Sequence, residues 1–163
     1  MAQSSDSVVT LSILDRLIDE ETRISSETPL NRTRSVRILR DGVRRDLEWI
    51  LNTRSIASPP DPRLRELNRS MYMFGLPDFT GYALTSPGDQ AKVVRQLQNA
   101  LKLFEPRLAK VRLVPLDAAG TLSRTFRFRI EALLLMDPTP EHISFDTVLQ
   151  LTSGQCEVQN AGG

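Results

Sequence analysis

The sequence predicts an α+β protein, with N-terminal helices packed on one face of a small C-terminal antiparallel sheet. Stretches 35–52 and 86–105 place apolar residues at the three- and four-residue spacing of a helix face, and beyond Lys110 the apolar period falls to two. The breaks around Asp137–Pro140 and Thr152–Gly154 are short and turn-forming. Such joints suit antiparallel hairpins, whose one polar face leaves the other for helices.

In chain order, residues 1–7 are small and polar and read as a tail. Over Val8–Asp19, Leu11, Leu14 and Ile18 recur in helical phase with Leu17 beside them, so a short amphipathic helix is expected. It belongs to an N-terminal segment, 1–33, ahead of a single domain, 34–163. Its apolar stripe fits either the chain's own core or a groove on a partner. Residues 20–33 are polar, contain Pro29 and read as a loop. Ser35–Asn52 is the clearest helix, with Val36, Leu39, Val43, Leu47 and Ile50 as its buried stripe and Trp49 off that stripe. Three prolines within 55–62 exclude helix and central strand there. Arg63–Met73 shows a weaker helical pattern through Leu64, Leu67 and Met71. Residues 74–86 form a loop too apolar to be fully solvated.

Ser86 and Pro87 suit the N-cap and first turn of a second long helix, with Val93, Leu97, Ala100, Leu101 and Phe104 facing inward. It must end near Phe104, because Pro106 pushes Glu105 out of the α region. Val111, Leu113 and Pro115 then share one side of a strand. Phe126, Phe128, Ile130, Ala132 and Leu134 share one side of the next, within Arg124–Met136. Ile143, Phe145, Thr147, Leu149 and Leu151 continue the alternation, and Gln155–Gln159 is placed to pair back as an edge strand.

Composition narrows the function. Lys+Arg is 21 against Asp+Glu 20, so no bulk field draws nucleic acid or anionic membrane. Only Lys92, Lys102 and Lys110 are lysines, and an arginine-rich surface suits bidentate, partly desolvated interfaces. The one cysteine, Cys156, excludes an internal disulfide and reads as a small strand hydrophobe. The longest apolar run, Ala132–Met136, is too short to span a bilayer, and the N-terminus lacks a secretory pattern.

No metal, cofactor or small-molecule site is expected. The lone histidine, His142, has no second ligand at metal spacing, and neither phosphate-loop pattern occurs. The arginines along 34–54 are interleaved with Asp41, Asp46 and Glu48, which argues against phosphate binding. Glu105 with Glu131 or Asp137 is the one carboxylate pairing to weigh for glycan cleavage, which needs a separation of about 5–9.5 Å across a groove. At the helix-to-sheet seam, Glu105-Pro106-Arg107 reads either as a helix stop with two solvated charges or as a stiff loop presenting a carboxylate and a guanidinium to a partner.

Stretches along nearly the whole chain settle on one resemblance. They are Ser12–Leu17, Ser35-Val36, Arg45–Glu48, Leu51–Arg54, Tyr72–Asp78, Phe104–Leu108, Phe128–Leu133 and Ser144–Leu149. In this order the chain resembles the TssE-type baseplate subunits of bacterial type VI secretion systems, within the wider family of baseplate wedge proteins of contractile phage tails, once called lysozyme-like. Phe74 departs from the tyrosine expected before Gly75. The resemblance implies a non-catalytic protein of the bacterial cytoplasm, in a membrane-docked secretion apparatus but not itself inserted in the membrane. Its implied partners are other wedge subunits of the TssF, TssG and TssK types and the contractile sheath subunits, whose assembly domain has a similar fold. It would template the first sheath ring by strand exchange. It also implies that Glu105, Pro106 and Arg107 contact the neighbouring wedge core. Leu14, Leu17, Ile18, Arg45 and Arg54 complete the expected protein-binding set. Competing expectations are a peptidoglycan-cleaving enzyme and a cytosolic regulatory adaptor of the same fold.

Overall fold

In the computed structural model, the residues described are 12–17, 32–58, 60–82, 86–116, 125–137, 139–150 and 152–161. Three helices, α1 (Ile13–Leu17), α2 (Arg32–Asn52) and α3 (Pro87–Phe104), precede four strands. The strands are β1 (Leu108–Pro115), β2 (Thr125–Leu134), β3 (Glu141–Gln150) and β4 (Cys156–Asn160), in that order across one sheet with every neighbouring pair antiparallel. This is the α+β arrangement that the periodicities require.

Strict alternation decides the sheet's faces. Phe126, Phe128, Ile130, Ala132 and Leu134 of β2 are buried with Ile143, Phe145, Thr147 and Leu149 of β3 and Cys156 and Val158 of β4. Arg127, Arg129 and Glu131 take the outer face, where Arg129 forms a two-bonded cross-strand pair with Asp146. The helices cover the inner face side by side, α2 near β4 and α3 near β1. Leu39, Val43, Leu47, Ile50 and Leu51 of α2 and Val93, Leu97, Ala100 and Leu101 of α3 complete the core. Phe126, Phe128 and Phe145 are its largest wholly buried side chains.

Three expectations change. Residues 63–73 form two short 3-10 turns, Leu67–Arg69 and Met71–Met73, rather than a helix. Leu64, Leu67 and Met71 are exposed, so no apolar stripe is buried to hold an α-helix in place. The first strand begins at Leu108 and carries a bulge: Lys110 has φ 52°, and the register shifts between Ala109 and Arg112. The extra residue lets Leu108 and Val111 both face inward, which strict alternation forbids. Pro115, expected inward with Val111 and Leu113, is exposed at the end of this edge strand.

The 74–82 loop is pinned to the end of α2. Leu76 N–H donates to Thr53 O and Ser55 N–H to Leu76 O, a short parallel bridge. Gly75 makes it possible with φ 101°, and any β-carbon there would fall on the Thr53 carbonyl.

Candidate functional site: the corner between α3 and β1

The corner exists because Pro106 ends α3. Glu105 leaves the helix at φ −122° and ψ 76°, although its N–H still reaches Leu101 O. One residue past the proline the chain turns back, with Leu108 N–H donating to Glu105 O at 3.1 Å. The turn folds the Glu105 side chain inward, where it is only 2% exposed.

A buried carboxylate is costly unless hydrogen-bonded and paired. Arg107 supplies both. Its Nε donates to Glu105 Oε1 at 2.7 Å, its Nη2 to Oε2, and its backbone N–H to Oε1 at 3.2 Å. The same Nη2 reaches Asp46 Oδ2 on α2. Asp46 in turn accepts from Arg45 Nε at 3.3 Å, and the Arg45 guanidinium lies 5.9 Å from the centroid of the Trp49 ring. A chain of contacts thus runs Glu105–Arg107–Asp46–Arg45–Trp49, tying the helix-to-sheet corner to the outer side of α2. The Glu105 hydrogen bonds, and then Asp46, hold Arg107 well above the ordinary arginine pKa, so its charge is permanent. Arg107 O also accepts from Leu135 N–H at 2.8 Å, which anchors the corner to the end of β2.

The corner is thus neither a pair of freely solvated charges nor a loop with an outward carboxylate: Glu105 is enclosed and Arg107 is only partly exposed. Glu105 is the internal clamp that fixes Arg107, whose side chain remains a quarter exposed. The accessible rim is made of Arg107, Arg45, Trp49, which is 57% exposed, and Pro106 and Leu135, which are also exposed. Asp46, Trp49 and Leu135 are the members that the sequence reading did not assign to the site. For Asp46 and Trp49 a signal was present, since Trp49 follows Arg45 by four and Asp46 by three, one helix face.

The other expected residues lie elsewhere. Arg54 pairs with Asp78 at 2.7 Å, and a β-carbon on Gly154 would come within 2.6 Å of its Nη2. Arg54 thus bridges the 76–78 loop toward the β3–β4 turn. Hydrogen bonds from Thr80 and then Arg54 hold the Asp78 carboxyl below the usual range. Leu14 and Leu17 of α1 are 43% and 76% exposed, so the helix does not bury them in the chain's own core. Ile18 lies outside the described residues. Glu131 stands on the exposed outer face of β2, whereas Glu105 is enclosed, so these two carboxylates do not flank an open groove. Among the described residues no group of three or more His, Cys, Asp or Glu could hold a metal ion, and no helix is long and apolar enough to cross a membrane.

A family model described as baseplate wedge protein gp25 matches residues 37–139, more than half of the chain. No curated protein and no solved structure matches it. The matched span contains α2 from Arg37 onward, the pinned loop, α3, β1, β2 and every residue of the corner.

Proposed function

The chain belongs to the baseplate wedge protein gp25 family, and from that premise we propose that it is a TssE-type subunit which links the wedge of a type VI secretion baseplate to the contractile sheath. Membership gives the structural role in a baseplate. The corner carries the finer reading. A bidentate, largely desolvated ion pair fixes one guanidinium on a proline-stiffened turn, next to an exposed tryptophan. Tryptophan and arginine on a rigid support are what dominates the energy of protein interfaces. Wedge subunits of the TssF, TssG or TssK types would seat on Arg107, Arg45, Trp49 and Leu135. Glu105, which is enclosed, would act through Arg107 rather than by touching the partner, whereas the exposed Pro106 would lie on the contact surface beside it. The exposed leucines of α1, Leu14 and Leu17, offer a second contact, and the edge of β4 offers a place for sheath strands.

The test is co-purification of wedge and sheath proteins with tagged full-length protein from the bacterial cytoplasm. Wild type should retain them and Trp49→Ala should lose the wedge subunits while remaining folded. Normal wedge recovery by Trp49→Ala would remove this surface from the interface. Recovery of a single unrelated client by the wild type would favour the regulatory adaptor. Glycan cleavage has little support at Glu105, whose two oxygens are occupied by Arg107. Peptidoglycan turnover lost in Glu105→Gln would reinstate it.

A further inference from the structure

β4 is an edge strand, and the outer side of such a strand is a row of backbone donors and acceptors. In the β3–β4 ladder, Gln150 N–H bonds Gln155 O and Ala161 N–H bonds Ser144 O. Antiparallel alternation then turns the N–H and C=O of Cys156, Val158 and Asn160 away from β3. At one end this outward row is already occupied. Asn52, the last residue of α2, donates from Nδ2 to Cys156 O at 2.8 Å and accepts from Cys156 N–H through Oδ1 at 2.8 Å. Its second Nδ2 hydrogen goes to Glu48 O at 2.8 Å, one turn back in the same helix, which fixes the carboxamide's orientation. One turn back, Glu48 Oε1 accepts from Val158 N–H at 3.4 Å.

The Asn52 carboxamide thus stands where the peptide group of a fifth strand would stand. We propose that Asn52, seconded by Glu48, is a surrogate strand that keeps the outer edge of β4 closed, and that an incoming extended segment opens this edge by taking over the two bonds of Cys156. The second half rests on the reading of β4 as the strand-accepting edge; the first does not. An amide is a fit lock for this purpose, because an incoming backbone replaces it bond for bond. The opposite edge is managed differently, by the Lys110 bulge and by Pro115, which has no N–H to offer. The two edges therefore differ in kind: one is blunted by the backbone itself, the other by a side chain that can swing away.

The experiment compares full-length wild type, Asn52→Ala and Asn160→Pro by hydrogen exchange and by recovery of sheath protein. Asn160 has its N–H on the outer side, so proline there removes an edge donor without removing a β3–β4 ladder bond. In Asn52→Ala the Cys156 amide should exchange about tenfold faster, with amides at the centre of β2 unchanged. Equal exchange at Cys156 in wild type and Asn52→Ala overturns the lock. Uniform acceleration across the sheet would instead mean general loosening and also overturns it; Asn52→Asp, which keeps the acceptor for Cys156 N–H, should then show an intermediate rate only if the bond itself matters. Faster Cys156 exchange in Asn52→Ala together with undiminished sheath recovery in Asn160→Pro would leave the lock standing and remove the strand-accepting reading.

Discussion

Arg107 and Asp46 lie 61 positions apart in the chain, and their side chains meet in a hydrogen-bonded ion pair that joins the α3–β1 corner to α2. Arg107→Ala would strand the enclosed Glu105 carboxylate and cut that tie. The expected loss is about 2–4 kcal/mol, the low end for breaking a buried pair because Arg107 still meets some water. Arg107→Lys should recover only part of it, since an ammonium cannot make the two-pronged contact. Urea unfolding of both variants measures this. Lost assembly in Arg107→Ala must therefore be read beside its stability.

Trp49→Ala separates folding from docking. The ring is mostly exposed, so the unfolding midpoint should stay within about 0.5 kcal/mol of wild type. Wedge affinity should fall about thirtyfold if the residue is an interface anchor, about 2 kcal/mol in binding. A midpoint that drops with wedge recovery would assign Trp49 to the fold instead.

Gly75→Ala should destabilise by roughly 1–3 kcal/mol, through the positive φ alone, and more because its new methyl meets the Thr53 carbonyl. Thermal melting and proteolysis near 74–78 report it. An unchanged melting temperature would mean that the Thr53–Leu76 bridge contributes nothing.

Thr147→Val should stabilise. Thr147 is buried on the inner face of β3, and its Oγ1 has no hydrogen-bond partner among the described residues. Replacing the hydroxyl by a methyl removes an unmet desolvation cost, with a gain of about 1 kcal/mol expected in denaturant titration.

Cys156 gives a pH signature. Burial, and then the charge of Glu48, push its thiol up to about 12, while an unfolded thiol ionises near ~8.5. Above that value the unfolded chain releases its proton first, so the folded state holds more protons and stability falls as pH rises. From pH 7.5 to 9.5 the loss should be about 1 kcal/mol, absent in Cys156→Ala. The folded protein should also resist thiol reagents at pH 8 until denatured.

Much of this was legible in the sequence, for identifiable reasons. Val43, Leu47, Val93 and Leu97 reveal α2 and α3 because a helix buries every third or fourth residue, and Phe126, Phe128 and Ile130 reveal β2 because a strand buries every second. Periodicity misled at Leu64, Leu67 and Met71, where helical spacing exists but nothing packs on it. It also could not show the Lys110 bulge, which depends on a partner strand. The corner was visible as a seam through Pro106. The inward turn of Glu105 was not, since charged residues are ordinarily outside and only the distant arrival of Arg107 and Asp46 makes the exception. Asp46 looked like one charge among many on an arginine-rich helix, and its partner lay 61 residues away.

The Asn52–Cys156 contact spans 104 positions. During synthesis α2 leaves the ribosome long before β4, so for most of that time Asn52 has no strand to cover and the sheet grows hairpin by hairpin behind it. The seal can close only once β4 has been made and laid beside β3. A nascent chain stalled between β3 and β4 would leave the outer edge of β3 bare instead, a template for any neighbouring chain on the same polysome. Closure by a side chain from the front of the domain thus marks the moment at which the sheet stops being adhesive.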